Sequence, residues 1–360
     1  MNATISDSIK SAAKSIIGLE RDGQCGFIPL KGDASYRSYF RIAPERSGKT
    51  FVLMIMHRGF NSPAEEITKT SKKIDELPFI NVQKFLKQAG VQVPEIIGFD
   101  RNESIIVLED LGDSSLYSSF KNLDSKKRDG IYRDLIKEMV TFQTTTRPSS
   151  PCVAFYRSYD MEMCKWELDH FREYALEGFL NLKLDPCEAK VIGEFYEKIS
   201  NQFMSQCFCF CHRDYHSKNI MLKDDGFKII DFQDALLAPP QYDLASLLRD
   251  SYIHLEPGTI QELVDFYIGE FGAKTGKAID KTQFTKSFDF VSIQRNLKAA
   301  GRFAFIEKKK ANASYLQYVP ETLSKIGSNM AKYYEFKEAH KILKPYFDKI
   351  CNKILRDYRG

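Results

Sequence analysis

Apolar residues in this chain follow two different periods. Up to about residue 110 they alternate with polar ones or run together in short β-prone stretches. This predicts strands over 36–42, 50–56 and 104–108, with Gly32, Gly48 and Gly98 at or near the flanking turns. One helical pattern lies among them, over 64–90, where Ile67, Ile74, Leu77, Phe85 and Leu86 recur among charges and Gly90 and Pro94 close the run. After Leu111-Gly112-Asp113 the period lengthens, and helices are expected over 126–144, 160–180, 187–207, 259–271, 282–305 and 322–356. A β segment interrupts them at 207–211, 219–222 and 227–231, its short apolar pieces separated by polar turns such as Asp224-Asp225-Gly226. The expected fold class is therefore α+β in two lobes. A small N-terminal lobe over 1–108 carries an antiparallel sheet with helices, a hinge occupies 109–113, and a larger, mainly helical lobe covers 114–360.

Composition narrows the function classes. The 360 residues are 43% hydrophobic and 28% charged, which describes a folded chain and excludes a disordered or collagen-like one. Basic and acidic residues number 52 and 48 and alternate along the chain, a balance that speaks against a dedicated nucleic-acid binder. The longest apolar run, at Phe51 to Met56, is far shorter than the ~20 residues of a membrane span. Residues 1–14 lack the features of a secretory leader, so a cytoplasmic protein is expected. Of the eight cysteines, Cys207, Cys209 and Cys211 alternate with Phe208 and Phe210 at strand period. Without a second ligand pair for zinc, they read as free cysteines packed as small hydrophobes.

The richest chemistry lies in that β segment. His212-Arg213-Asp214 is followed by Asn219 five residues after the aspartate, and Ile230-Asp231-Phe232 comes shortly after. Phosphoryl transfer from a nucleotide to a hydroxyl needs a base and oxygen ligands for Mg²⁺. Asp214 suits the first role, and Asn219 with Asp231, returned by a hairpin, suits the second. A turn-capping Asp214 and a strand-ending Asp231 are the plainer alternative, which the ordered pair of motifs disfavours. The nucleotide side is expected in the first lobe, where Gly32-Asp33-Ala34-Ser35-Tyr36-Arg37 leads through Arg41 into a strand. Gly32 and Ser35 let backbone N–H groups approach phosphate oxygens, and Arg37 or Arg41 adds charge; an ordinary hairpin with solvated arginines is the alternative. Backbone groups of Glu109 and Leu111, at the end of a buried strand, are placed to pair with adenine, a plain linker being the other reading.

These segments resemble the protein-kinase-like small-molecule kinases, the superfamily of aminoglycoside phosphotransferases and choline kinases. Within it the chain is similar above all to bacterial cell-wall-recycling kinases that phosphorylate the anomeric hydroxyl of N-acetylmuramate and N-acetylglucosamine. Their GDASxRxYxR, LEDLGD, HRDYHxxN, DFQDA and YDLASLL segments recur here at 32–41, 108–113, 212–219, 231–235 and 242–248. The likeness continues through Gln294-Arg295-Asn296-Leu297-Lys298, Gly301-Arg302-Phe303-Ala304 and Tyr315-Leu316, and spans about residues 30–330. It implies a bilobal protein-kinase-like fold, ATP and Mg²⁺ as cofactors, and Asp214 as base with His212 and Arg213 in the same catalytic triplet. It makes Asn219 and Asp231 metal ligands, and has Asp243 brace the catalytic loop; the residues alone equally allow Asp243 as a helix N-cap.

Two departures stand out. The superfamily expects a lysine on the third strand, where Phe51-Val52-Leu53-Met54 has none; the sugar-kinase subgroup shares that lack. Met56-His57-Arg58-Gly59-Phe60 also replaces an Asp-Ala-Pro-like run of the subgroup. For the acceptor, His216, Gln233, Asp234 and Arg302 are the candidate contacts, with Arg302 suited to the carboxylate of N-acetylmuramate and ordinary structural roles open to all four. Lys308-Lys309-Lys310 reads as a solvated loop. The expected function is an amino-sugar 1-kinase that hands its sugar 1-phosphate to a nucleotidyltransferase. Its rivals are an aminoglycoside, choline or other small-alcohol kinase of the same fold, and a nucleotide-binding pseudokinase.

Overall fold

The computed structural model describes residues 5–20, 23–30, 37–45, 48–56, 68–72, 74–147, 151–224 and 226–358. The chain forms two compact units. The first comprises Met1–Lys69, Gln92–Ser114 and Met221–Ile230, and the second Thr70–Val91, Ser115–Ile220 and Asp231–Gly360.

The first unit is built on a five-stranded antiparallel sheet. Its strands are β1 (Cys25–Leu30), β2 (Arg37–Pro44), β3 (Phe51–Met56), β4 (Ile96–Asp100) and β5 (Ile105–Glu109), in the order β1-β2-β3-β5-β4. The three strands expected from the sequence are the inner ones, whose apolar runs are buried. The two unforeseen strands are the edges, and Pro29 is tolerated in β1 because an edge strand need not donate at every residue. A helix over Asp7–Ile16, also unforeseen, starts where the Ser6 hydroxyl accepts the Ile9 N–H at 3.3 Å. Its apolar stripe of Ile9, Ala12, Ala13 and Ile16 packs on Phe40, Ile42, Leu53, Ile105 and Val107. The hairpin Ile220–Lys223 and Gly226–Ile229 completes this unit.

The second unit is mainly helical. Helices Ser125–Thr144, Pro186–Met204, Pro257–Thr275 and Lys281–Lys310 lie close to the expected spans. Among the described residues the pattern over 64–90 yields a helix at Pro78–Gln88, where Pro78 suits the first helical position and holds Leu77 extended at ψ 131°; residues 64–67 and 73 lie outside the described ones. The span 322–356 is two helices, Val319–Met330 and Lys337–Asp357. Between them the chain drops Tyr333 and Phe336 onto Phe290, with ring centroids at 5.2 and 4.6 Å, and the Tyr333 hydroxyl donates to Asp289 at 2.8 Å. Lys308 to Lys310 are the last turn of a helix, where cations face its negative dipole end, and not a loop.

Two features of this unit position the site. A two-stranded antiparallel ladder joins Cys209–Cys211 to Leu236–Ala238 with Cys211 opposite Leu236, so the segments starting at His212 and ending at Ala235 leave and enter it at the same end. The 30-residue helix Lys281–Lys310 is buried without a break over 287–297. It crosses Met161–His170 and the π-helical continuation Phe171–Gly178 at Gly301, where a Cβ would stand 2.7 Å from the Phe171 backbone nitrogen. Only glycine permits that approach. Among the described residues no helix is long and apolar enough to cross a membrane, and all eight cysteines are free.

Gly301→Ala is expected to force the two helix backbones apart and lower unfolding stability by about 1–3 kcal/mol, measured by urea titration. In the first unit the Glu109 carboxylate accepts from Lys223 at 2.8 Å, Lys228 at 2.6 Å and the Glu95 N–H at 3.1 Å. Burial acts to raise its pKa, but these three partners outweigh it and pull it down to about 2. A depressed carboxylate stabilises the fold above its unfolded pKa and loses that contribution as pH falls. The stability advantage of wild type over Glu109→Gln should therefore be present at pH 7 and shrink as pH falls from about 4.5 toward about 2, read as paired urea midpoints.

Candidate active site

The segment 212–219 is held by acids from the structure beneath it. Asp243, in the helix Gln241–Leu248, accepts the backbone N–H of His212 at 2.7 Å and of Arg213 at 2.9 Å. It lies in the first turn of that helix rather than at its N-cap, which is Pro240. Asp250 accepts the N–H of Ser217 at 2.9 Å, and the Tyr215 hydroxyl donates to the Leu135 carbonyl at 3.0 Å. Arg213 has φ +80°, a left-handed conformation that a non-glycine residue keeps only when its surroundings impose it. Its surroundings hold it at both ends: Asp243 accepts its backbone N–H, and Glu167, whose side chain is wholly buried, accepts from its guanidinium at 3.2 Å.

Glu167 is the centre of a buried polar cluster. It also accepts from the Tyr159 hydroxyl at 2.6 Å and the Gln294 amide at 2.8 Å, and pairs with Lys298 at 3.4 Å. The Lys298 ammonium donates to the Tyr242 hydroxyl at 3.0 Å, and that hydroxyl in turn lies within hydrogen-bond distance of the Tyr159 oxygen, at 3.0 Å. Burial alone would favour a protonated Glu167, but Lys298 and Arg213 outweigh it and hold the carboxyl below its ordinary range. Asp214 is treated in the same way. Burial pushes its carboxyl up, and the charges of Lys298, Arg213 and Arg295 overcome that push and hold it far below the usual carboxylate range. Burial raises Asp243 to about 7 even though its two N–H partners favour the anion.

Two oxygen-bearing side chains stand on the segments flanking the hairpin. Asn219 donates its amide to the Asp214 carbonyl at 3.0 Å, which leaves its carbonyl oxygen for a ligand role. Asp231 has φ +68°, and its Oδ1 accepts the Gln233 amide at 2.9 Å, an amide that also reaches Asp234 Oδ2 at 3.1 Å. An amide oxygen and a carboxylate are hard donors that fit Mg²⁺, which keeps water and phosphate oxygens in the rest of its shell.

The remaining sequence candidates are scattered. Gly32 and Ser35 lie outside the described residues, as do His57 to Phe60. Arg37 stands opposite Met56 in the β2–β3 ladder. Arg41, read from the sequence as a phosphate ligand, forks onto Asp110 at 2.6 Å and Asp113 at 2.9 Å, so its charge is already matched. Glu109 gives its N–H to the Glu95 carbonyl at 2.9 Å, and beyond Leu111 the chain turns at Gly112, with φ +76° and its N–H on Asp110 Oδ1. Met54 fills the third-strand position in the buried core of the sheet. His216 lies against Tyr252 with ring centroids at 5.2 Å, and burial lowers its pKa, favouring the neutral ring. Arg302 lies over Phe305 at 4.8 Å, and Phe305 packs on His170, which also contacts Trp166, the single tryptophan, at 4.8 Å.

Glu167 and Lys298 were not singled out from the sequence. Glu167 had a signal: it falls on the helical stripe Met163, Cys164, Leu168, Phe171, where an acid is out of place unless it is paired inside.

The profile described as "Phosphotransferase enzyme family" matches residues 26–277. An N-acetylmuramate/N-acetylglucosamine kinase of Neisseria meningitidis serogroup B is 27% identical over 328 residues, 90% of this chain and 91% of that one. Its counterpart in Pseudomonas putida is 26% identical over 336 residues, again 90% and 91%. Among solved structures, an ADP-bound aminoglycoside phosphotransferase shares the fold at TM-score 0.58 and 13% identity, covering 90% of this chain and 98% of that one. Choline kinase LicA from Streptococcus pneumoniae does so at TM-score 0.58 and 13% identity, covering 91% and 98%.

Removing Glu167 takes the paired anion from the buried Arg213 and the half-buried Lys298. Glu167→Ala is expected to cost about 3–5 kcal/mol of unfolding stability in a denaturant titration, and Glu167→Gln, which keeps the hydrogen-bonding shape, less than that.

Proposed function

Since the chain belongs to the phosphotransferase enzyme family, we propose that it transfers the γ-phosphoryl group of ATP to the anomeric hydroxyl of N-acetylmuramate or N-acetylglucosamine. The observation that carries the chemistry is Asp214, kept anionic by surrounding cations on a loop pinned by Asp243 and Asp250. The amino-sugar assignment rests on relatives of that name aligned over nine-tenths of the chain.

In this reading Asp214 accepts the proton of the sugar hydroxyl as its oxygen bonds to the γ-phosphorus and the bond to the β–γ bridging oxygen breaks, releasing ADP. Mg²⁺, which Asn219 and Asp231 would hold, supplies neutralising charge at the phosphates. His212, whose Nδ1 receives the Asp214 N–H at 3.3 Å, and Arg213, tied to Glu167, fix where the base points. Asp243 positions both through their backbone. His216, Gln233, Asp234 and Arg302 are the proposed sugar contacts. Gly32, Ser35 and Arg37 are the proposed phosphate-side contacts, and Glu109 and Leu111 the adenine-side ones. A sugar 1-phosphate is the activated form a nucleotidyltransferase consumes, and we place the reaction in the cytoplasm, where ATP is made available.

³¹P NMR of the protein with Mg²⁺-ATP and N-acetylglucosamine, N-acetylmuramate, kanamycin or choline tests the assignment. A phosphate coupled to the anomeric proton is expected with the amino sugars, and product with kanamycin or choline alone overturns the substrate. Asp214→Asn should lower kcat roughly 10²–10⁴-fold while nucleotide affinity is nearly kept; unchanged turnover removes Asp214 from the mechanism.

A further inference from the structure

Lys218, on the same loop four residues after Asp214 and one before Asn219, lies inside a cage of tyrosines. Its ammonium is 4.4 Å from the ring centroid of Tyr252, 4.9 Å from Tyr315, 5.2 Å from Tyr318 and 5.4 Å from Tyr117. These rings come from separate elements: the short helix Leu116–Ser119, the turn after Gln241–Leu248, and the 3₁₀ segment Ala313–Tyr318. They brace one another. The Tyr117 and Tyr318 hydroxyls are hydrogen-bonded at 2.6 Å, Tyr252 meets Tyr318 at 4.8 Å, and Phe303 stacks on Tyr315 at 5.7 Å. Lys218, Tyr117, Tyr252 and Tyr318 are half-buried, so the cage is not sealed.

A second observation at the same place points to a ligand. His216 Nδ1 and Ser217 Oγ are buried polar atoms without a hydrogen-bond partner, and the His216 ring rests on Tyr252. Buried polar atoms are nearly always satisfied, and open ones beside a reactive loop call for a hydrogen-bonding guest. Aromatic faces suit the apolar face of a sugar ring, and an ammonium at those faces suits an anion. A cationic alkylammonium acceptor would instead meet the like charge of Lys218 at the same faces.

We propose that Lys218 and its tyrosines form the acceptor subsite, with the ammonium pairing to the carboxylate of an acidic amino sugar. The inference rests on the amino-sugar reading above and moves carboxylate recognition from Arg302, which lies over Phe305 beside His170. Lys218 thereby becomes the residue that sets preference between acidic and neutral acceptors.

The test is steady-state kinetics of wild type, Lys218→Met, Lys218→Arg and Arg302→Met with N-acetylmuramate and with N-acetylglucosamine, following ADP release. For Lys218→Met the ratio of kcat/KM should swing toward the neutral sugar by roughly ten- to a hundredfold, the loss lying in the KM for N-acetylmuramate. Lys218→Arg, which keeps the charge, should recover most of that ratio. An equal loss on both sugars, lying in kcat, would show that Lys218 only steadies the loop that carries Asn219 and would overturn the proposal. A selective loss in Arg302→Met with none in Lys218→Met would return the carboxylate to Arg302. Wild-type inactivity toward both sugars would overturn the function reading itself, an outcome distinguishable from failure of the Lys218 assignment alone.

Discussion

A carboxylate with no exposed surface has to be surrounded by its own counter-charges, and in this protein that requirement falls on Glu167. Arg213, Lys298, Tyr159 and Gln294 all turn their polar ends toward it, from the loop, the long central helix and the segment before Glu167 itself. Removing such an anion would strand the cations paired to it, so the cluster stands or falls as a whole. Because Arg213 precedes Asp214 directly, the setting of Asp214 is tied to the helix that carries Glu167. The left-handed backbone at Arg213 is the visible mark of that constraint.

The central helix and its partner are the mechanical side of the same arrangement. Lys298 reaches Glu167 because Gly301, one turn on, lets Lys281–Lys310 ride against the backbone of Phe171. The π-helical stretch Phe171–Gly178 starts at that crossing, in keeping with the tendency of such widened turns to occur where function constrains a helix. Packing and electrostatics are therefore not separable here: a side chain at residue 301 would move the ammonium away from its carboxylate.

Much of this was legible in the sequence, and the unread parts share a cause. The inner strands of the sheet announced themselves because their apolar runs are buried, whereas β1 and β4 are edges with mixed burial and no distinctive pattern. The helix Asp7–Ile16 was hidden because its stripe relies on alanine and isoleucine spaced among serines and lysines. In the site, Asp214, Asn219, Asp231 and Asp243 stood in contiguous motifs whose spacing carries chemical meaning. Glu167 and Lys298 are 131 positions apart and meet only through tertiary packing, so no local reading could join them. Arg41 shows the converse: a cation read as available for phosphate is claimed by two acids about 70 residues away. The tyrosine cage is likewise assembled from positions 117, 252, 315 and 318, which nothing in the one-dimensional pattern brings together.

The neighbourhood of the single tryptophan gives the molecule an optical property. Trp166 precedes Glu167 and lies 4.8 Å from the ring of His170, while the chain's 18 tyrosines absorb elsewhere in the near ultraviolet or feed energy toward it. Light selected for indole is thus absorbed at one point, and the imidazole beside it is a natural quencher once protonated. Intrinsic emission of this protein consequently reports on the aromatic group of Trp166, His170, Tyr174 and Phe305 rather than on an average over the chain, so loosening where the long helix meets the π-helical stretch can be watched without attaching any dye.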